Sequence, residues 1–211
     1  MTLQLTLVNN SGKPGNLFAF QRYGGLRQSL AWLSKYAYPG TQVDFFWDPS
    51  SLCFVWSGTG KLGPGVVIDV AQFVPAAISG TNQITLSYDA EHRTFYFHDQ
   101  GQGPQSGQLF IRQDTTIPAH SASVGVGLAN KATLVFDVSP NLMTVIDTRA
   151  TTLWVAFGDY QQGQYIEDVE ALGAVEVTFP PNVVAMTATI DADGRWTVVE
   201  NVLGKRAEEA S

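Results

Sequence analysis

Hydrophobic and polar residues alternate along most of the chain, with the two-residue period that is typical of half-buried β-strands. The alternation recurs in about a dozen runs of roughly four to eight residues, separated by Gly, Pro, Asn and Asp. No segment keeps a helical period over roughly ten positions, and only residues 26–36 and 163–173 come near it. The pattern predicts an all-β, sandwich-like protein of about a dozen strands, with at most one or two short helices.

Two stretches of the chain resemble each other, and each predicts a β-hairpin. Residues 84–97, ITLSYDAEHRTFYF, and residues 188–199, ATIDADGRWTVV, both carry a strand, an Asp-Ala turn, an arginine and a second strand. Either one half of a sandwich has been duplicated, or two unrelated hairpins look alike. We expect a single β-sandwich-like domain over residues 1–200, with two similar halves as an open alternative, and a polar tail over 201–211.

The composition limits the partners that the protein can bind. Charged residues make up 15% of the chain, the net charge is -7, and the isoelectric point is near 4.8. Nucleic acids and anionic membranes are bound through basic surfaces, so we expect neither of them as a partner. The surface must instead be made largely of uncharged polar residues.

Three features bear on location and redox state. The first ten residues, MTLQLTLVNN, alternate like a strand and lack the basic start of a signal peptide. No window of about 18 residues is apolar enough to span a membrane. The single cysteine, Cys53, cannot form an intramolecular disulfide, and its strand-like context predicts a small buried hydrophobic residue. We expect a cytoplasmic protein, with export by a non-classical route left open.

Several motifs come close to a known chemistry without meeting its requirements. The Gly-Lys pair at 60–61 is followed by leucine, whereas a nucleotide-binding loop needs Ser or Thr and then a helix. His92 and His98 are too far apart along one hairpin to share a metal ion. His120 stands beside a serine, but the sequence has no nucleophile elbow. We therefore predict no catalytic site, no metal site and no cofactor.

The segment 123–130, SVGVGLAN, places Gly125 and Gly127 on one face of a predicted strand. Because glycine has no side chain, that face is bare, and another part of the molecule must approach it closely. We favour a second sheet or an aromatic ring in this position. A ligand or another subunit is the less favoured alternative.

Two loops, 98–108 and 157–168, are rich in glutamine and glycine, and the second also carries two tyrosines. Amide groups exchange hydrogen bonds with hydroxyls, and an aromatic ring can stack on the C–H face of a sugar. The loops therefore predict a carbohydrate-binding site, with an unliganded polar loop as the alternative. The predicted ligand-binding residues are Tyr160, Gln161, Gln162, Gln164, Tyr165, Gln102 and Gln105.

Blocks of sequence along almost the whole chain resemble the rhizosphere-induced RhiA-type proteins of root-associated bacteria. The resemblance rests on the order and the amino-acid sequence of six blocks, at residues 8–21, 30–47, 54–66, 116–127, 154–163 and 179–196. It implies a soluble, β-rich bacterial protein made in quantity under quorum-type control near roots. The resemblance implies a family with no established enzymatic activity, and it defines no catalytic or binding residues that could be transferred to this chain.

The sequence favours a non-enzymatic binding or self-assembly protein, whose partner is a glycan or a second copy of the chain. A carbohydrate-active hydrolase is one alternative, but such an enzyme needs paired carboxylates. An abundant structural protein that forms filaments or inclusions is another alternative, which low charge favours. The acidic residues are scattered along the chain, and nothing in the sequence predicts that two of them form a pair. They include Asp44, Asp48, Asp69, Asp137, Asp147, Asp159, Glu167 and Asp168.

Overall fold

The computed structural model describes residues 1–201, which are built almost entirely of β-strands. The strands are β1 (Leu3–Asn9), β2 (Gly15–Tyr23), β3 (Ser29–Leu30), β4 (Leu33–Ala37), β5 (Thr41–Trp47), β6 (Leu52–Ser57), β7 (Gln72–Pro75), β8 (Gln83–Asp89), β9 (Thr94–Gly101), β10 (Gln108–Gln113), β11 (Ser123–Leu128), β12 (Lys131–Asp137), β13 (Leu142–Asp147), β14 (Thr151–Gly158), β15 (Tyr165–Ile166), β16 (Val175–Val177), β17 (Ala185–Ile190) and β18 (Trp196–Glu200).

The all-β prediction is confirmed. The described residues form more strands than the dozen that the sequence predicted, and short strands account for part of the difference. A two-residue strand such as β3 or β15 is too brief to show alternation. Of the two segments that came near a helical period, 26–36 forms β3 and β4. The other segment contains β15 and a one-turn 3-10 helix, Val169–Leu172.

Sixteen of the eighteen described strands form two sandwiches, each made of two four-stranded sheets, and β3 pairs with β15 in a separate two-stranded sheet. In the first sandwich, the sheet β18-β17-β1-β5 packs against the sheet β16-β14-β2-β4. In the second sandwich, β13-β10-β8-β9 packs against β12-β11-β6-β7. The first sandwich is therefore assembled from both ends of the chain, whereas the second is contiguous from Leu52 to Asp147.

The two sandwiches share one topology. The strands of the first sandwich can be read in the order β14, β16, β17, β18, β1, β2, β4, β5, and those of the second in the order β6 to β13. Each strand of the first series then has the same neighbours in its sheet as the strand at the same place in the second series. The match includes the one parallel pair of each sandwich, which is β1 with β17 in the first and β8 with β10 in the second. The chain is thus a repeat of two units, one of which is closed by strands from opposite ends.

The two similar stretches of the sequence occupy equivalent places in this repeat. Residues 84–97 lie in β8 and β9, and residues 188–199 lie in β17 and β18. In both turns the aspartate side chain, Asp89 or Asp191, accepts a hydrogen bond from the backbone nitrogen two residues ahead. The domain range 1–200 stays a prediction, and residues 202–211 of the predicted tail lie outside the described residues.

Each sandwich has its own hydrophobic core, and Trp32 is one of the side chains that link the two. The first core contains Trp32 and Trp47, whose rings meet edge to face with centroids 5.2 Å apart. The last residue of β11, Leu128 of the second sandwich, packs into this first core. Trp32 Nε1 donates a hydrogen bond to the Leu128 carbonyl oxygen at 3.0 Å. Trp32 therefore joins the two sandwiches through both packing and a hydrogen bond.

A close backbone approach explains Gly125 and Gly127. A Cβ atom at Gly125 would lie 1.9 Å from the carbonyl oxygen of Leu134, and one at Gly127 would lie 2.4 Å from that of Lys131. The register of β11 against β12 shifts between Val126 and Gly127, as at a β-bulge. The predicted close approach is confirmed, but it comes from the neighbouring strand of the same sheet and not from a second sheet or an aromatic ring.

Two further predictions can be compared directly with the structure. Cys53 is a free cysteine that is buried in a small hydrophobic cluster with Leu30 and Val55, as predicted. Burial raises the pKa of its thiol to about 11, so the reactive thiolate is scarce at neutral pH. Within residues 1–201, no helix has the length and apolar character needed to cross a membrane.

Candidate functional site

The second glutamine-rich loop lies at the seam between the two sandwiches. It belongs to the connection from β14 to β16, which is the counterpart of the connection from β6 to β7. The two connections pair with each other, because Val67 forms a β-bridge with Gln164 and Ile68 N donates to the Gly163 carbonyl oxygen at 2.9 Å. The seam therefore joins equivalent parts of the repeat.

A cleft with a volume of about 410 Å³ opens at this seam. Three of the predicted ligand-binding residues line it, namely Tyr160, Gln164 and Tyr165. The volume falls in the range that is usual for small-molecule sites. The rest of the lining consists of Pro64, Gly65, Glu167, Asp168, Ala171 and Leu172.

The contacts of these three side chains hold them in place and leave polar atoms for a ligand. The ring of Tyr160 packs on Phe18, with the ring centroids 5.3 Å apart. The Oε1 atom of Gln164 accepts a hydrogen bond from Gln161 N at 3.1 Å, which leaves its amide nitrogen as a donor. Burial raises the pKa of Tyr165 above its usual value, so its hydroxyl stays protonated. The cleft therefore presents one amide and two phenols.

Two carboxylates add negative charge to the cleft, and one of them is already engaged. Asp168 forms an ion pair with Arg27, and its Oδ1 accepts a hydrogen bond from Glu170 N at 3.0 Å at the start of the 3-10 helix. The hydrogen bond from Arg27 is the main reason why the pKa of Asp168 lies below its usual value. Glu167 is exposed. Asp168 therefore stays charged and is not suited to donate a proton.

The remaining predicted residues lie elsewhere. Gln161 is exposed, and Gln162 lines a neighbouring cleft of about 240 Å³. Gln102 and Gln105 lie between β9 and β10 of the second sandwich, and neither lines the seam cleft. The Gln105 carbonyl oxygen accepts a hydrogen bond from Asn82 at 2.8 Å. The structure therefore does not bring the two glutamine-rich loops together in one cleft.

Ser87, His98 and Asp114 form a cluster that the sequence did not reveal. His98 Nε2 lies 2.7 Å from Ser87 Oγ, which donates a hydrogen bond to Asp114. Because the hydroxyl proton goes to the carboxylate, His98 donates to Ser87 and does not act as its base. Ser87 is 2% exposed, so a substrate has little access to its hydroxyl. The three residues come from different parts of the chain, and only the strand register brings them together.

The other candidate motifs have structural explanations. The glycine-rich loop is followed by β7 and not by a helix, as its sequence predicts. Ser121 Oγ donates to the Pro118 carbonyl oxygen at 2.5 Å, so its proton is not directed at the neighbouring His120. His120 Nδ1 lies 3.4 Å from Asp137 instead. Among residues 1–201, no three His, Cys, Asp or Glu side chains are grouped so that they could hold a metal ion.

Comparison with known proteins identifies the family. A family model described as RhiA matches residues 1–201. The chain belongs to the RhiA family. Protein RhiA of Rhizobium leguminosarum bv. viciae is 28% identical to it over 201 residues, which cover 92% of this chain and 84% of the relative. No solved structure shows significant similarity to this RhiA family member. The resemblance seen in six blocks of sequence is therefore confirmed over all described residues.

Proposed function

We propose that this RhiA family protein is a non-enzymatic binding protein whose seam cleft holds a neutral carbohydrate. The observation that supports the proposal is that Tyr160, Gln164 and Tyr165 line one cleft of about 410 Å³. An amide and two phenols provide donors and acceptors for sugar hydroxyls. The tyrosine rings offer faces on which a pyranose ring can stack.

The charge of the cleft narrows the ligand class. Its lining carries the carboxylates of Glu167 and Asp168 and, within the described residues, no lysine or arginine. The whole protein also has a net charge of -7, which repels anions at long range. A neutral oligosaccharide is therefore favoured over a uronic acid or a phosphorylated sugar.

The state of Asp168 argues against a hydrolase at this cleft. A glycosidase needs one carboxyl group with a raised pKa to protonate the leaving group and a second that stays charged. Asp168 pairs with Arg27, and its pKa is lowered. A hydrolase at this cleft would need Glu167 as the proton donor and Asp168 as the second carboxylate, and the charge of Asp168 is already neutralised by Arg27. Binding without cleavage is the function that this arrangement supports better.

Replacing Tyr160 with alanine is expected to reduce binding of neutral oligosaccharides at least about tenfold, because the variant loses a stacking surface and a hydroxyl. A glycan array screened with the wild-type protein identifies the oligosaccharide, and isothermal titration calorimetry then gives the two dissociation constants. Tyr160→Phe keeps the ring contact with Phe18, and we expect it to lose only part of the affinity.

Gln105→Ala is the matched control for this experiment, since it alters the other glutamine-rich loop, which does not line the cleft. We expect this variant to bind like the wild type. Equal affinities for wild type and Tyr160→Ala, or a loss of binding in the control alone, would contradict a carbohydrate site in the seam cleft.

Self-association is a second candidate function, and it rests on the edge strand β13. This strand exposes Leu142, Met143 and Val145 to solvent. The corresponding edge strand, β5, carries the charged Asp44 where β13 carries Met143. Charged residues protect sheet edges from pairing, so β13 is the less protected of the two edges. In an antiparallel pair of two copies centred on Thr144, each Met143 would face Val145 of the other copy.

The double substitution Met143→Lys and Val145→Lys is expected to convert a dimer to a monomer, because it places charges in the apolar strip of the edge. Size-exclusion chromatography with light scattering measures the mass. The control is Val199→Lys, which alters an equally exposed valine on the different edge strand β18. A monomeric wild-type protein at all concentrations tested would refute this second candidate.

A further inference from the structure

A second cleft, with a volume of about 460 Å³, opens between the two sheets of the second sandwich. Its wall is formed by three aromatic side chains, Trp56, Tyr88 and Phe95. The ring centroid of Phe95 lies 4.8 Å from that of Tyr88 and 5.6 Å from that of Trp56. Gly58, Ala71, Arg93, Thr94, Pro118 and Ser121 complete the lining, which shares no residue with the seam cleft.

Arg93 is the cation of this cleft, and the described residues provide it with no ion-pair partner. Its own hairpin carries two acids, Asp89 and Glu91, and neither forms an ion pair with Arg93. Asp89 is occupied by His92, whose Nδ1 lies 2.7 Å from the carboxylate. In the corresponding hairpin of the first sandwich, Arg195 is paired with Asp193. The two corresponding hairpins therefore carry one arginine that is neutralised, Arg195, and one that is available to an external anion, Arg93.

The backbone at Arg93 adopts a conformation that is unfavourable for most residues other than glycine, asparagine and aspartate. Its φ angle is 52°, in the left-handed region. In the corresponding turn that conformation is adopted by Gly194, with φ of 77°, and glycine adopts it without strain. Arg93 keeps a long charged side chain in the lining of the cleft although this conformation costs it free energy, which supports Arg93 as a candidate ligand-binding residue.

Two neighbouring polar groups of the cleft are already engaged. The indole Nε1 of Trp56 donates to Gln72 Oε1 at 2.9 Å. The hydroxyl of Ser121 donates to the Pro118 carbonyl oxygen. The guanidinium of Arg93 is therefore the charged donor that the cleft can offer to a ligand, beside a wall of three aromatic rings.

We propose that this cleft binds a small aromatic carboxylate. The ring of the ligand lies against Trp56, Tyr88 and Phe95, and its carboxylate pairs with Arg93 through two parallel hydrogen bonds. The protein as a whole carries a net charge of -7, which repels an anion at long range. Among the residues that line the cleft, Arg93 is the one that attracts it. Binding consequently weakens as salt screens this exposed ion pair.

Calorimetric titration with phenylacetate and with its neutral isostere phenylacetamide tests the proposal. We expect the wild-type protein to bind phenylacetate about tenfold more tightly than the amide, since only the acid forms a charge-assisted pair with Arg93. Arg93→Gly is expected to reduce the affinity for phenylacetate to that for the amide. The thermal midpoint of this variant should be at least that of the wild type, because glycine fits the left-handed backbone.

Arg195→Gly is the matched control, since it alters the paired arginine of the corresponding hairpin. This variant should retain the preference for phenylacetate. Nuclear magnetic resonance locates the ligand: the indole signal that disappears in Trp56→Phe should shift during titration of the wild type. The proposal is overturned if neither compound binds at millimolar concentration, if acid and amide bind equally, or if Arg93→Gly retains the wild-type preference.

Discussion

Gly125→Ala is expected to lower the free energy of unfolding by about 3 kcal/mol or more, which is large for the addition of one methyl group. The added Cβ atom would lie 1.9 Å from the Leu134 carbonyl oxygen and 2.8 Å from the Val135 Cα atom. Both are backbone atoms of β12, so the clash cannot be relieved by a side-chain rotation. Relief requires the edge strand β12 to separate from β11, which breaks the hydrogen bonds between the two strands. Urea denaturation followed by circular dichroism measures the loss.

Gly80→Ala serves as the control for this substitution. Its added Cβ atom would meet no heavy atom within 4 Å, and its φ angle lies outside the left-handed region. We expect a change in unfolding free energy within about 0.5 kcal/mol, as is usual at surface positions. If Gly125→Ala were as mild as this control, the close approach of β12 to β11 would be wrong.

Trp32→Ala is expected to destabilise the protein by about 3 to 5 kcal/mol. Trp32 is completely buried, it meets Trp47 edge to face, and it donates a hydrogen bond to Leu128 of the second sandwich. The substitution leaves a large cavity in the first core and also removes the hydrogen bond to the Leu128 carbonyl oxygen. Trp32→Phe separates the two effects, because it keeps most of the volume and removes the hydrogen bond, at a cost of about 1 to 3 kcal/mol.

Trp154→Phe provides the comparison for a tryptophan outside the two main cores. Trp154 is half-buried, and its indole nitrogen bonds to Thr152 at 2.8 Å on the same strand. We expect this variant to lose about 1 kcal/mol or less. Hydrogen exchange should show that Trp32→Ala weakens protection in both sandwiches. Loss of protection in the first sandwich alone would contradict the role of Trp32 as their link.

The sequence predicted the features that depend on neighbouring residues. Alternation predicted the strands, and the Asp-Ala turns predicted both hairpins. The missing side chain at Gly125 predicted that another part of the molecule approaches its backbone closely. Alternation cannot tell which strand lies beside which, since many pairings satisfy the same pattern. The parallel pair of β1 and β17 joins Gln4 to Ala185 across almost the whole chain. The division into two sandwiches was therefore not predictable from local patterns.

The same limit applies to the candidate sites. Residues 160–165 were found because their tyrosines and glutamines are close in sequence. The aromatic cleft was missed because Trp56, Tyr88 and Phe95 come from three strands, and each is a usual core residue when considered alone. Arg93 gave no signal either, since its importance lies in a positive φ angle and in the absence of a partner among the described residues. Comparison of the two corresponding hairpins draws attention to Arg93, because Arg195 has an ion-pair partner and Arg93 has none among the described residues.

The closure of the first sandwich by strands from both ends determines the order in which a nascent chain can fold. On the ribosome, residues up to Asp147 complete the second sandwich, and folding of such units during synthesis is usual. Until β14 and β17 emerge, β1 is paired only with β5 and β2 only with β4. The inward faces of β1 and β2, including Leu5, Leu7 and Leu17, are therefore incompletely covered until the last strands of both sheets are made. The segment that is synthesised first is thus enclosed last, and chaperones would find their binding surface there.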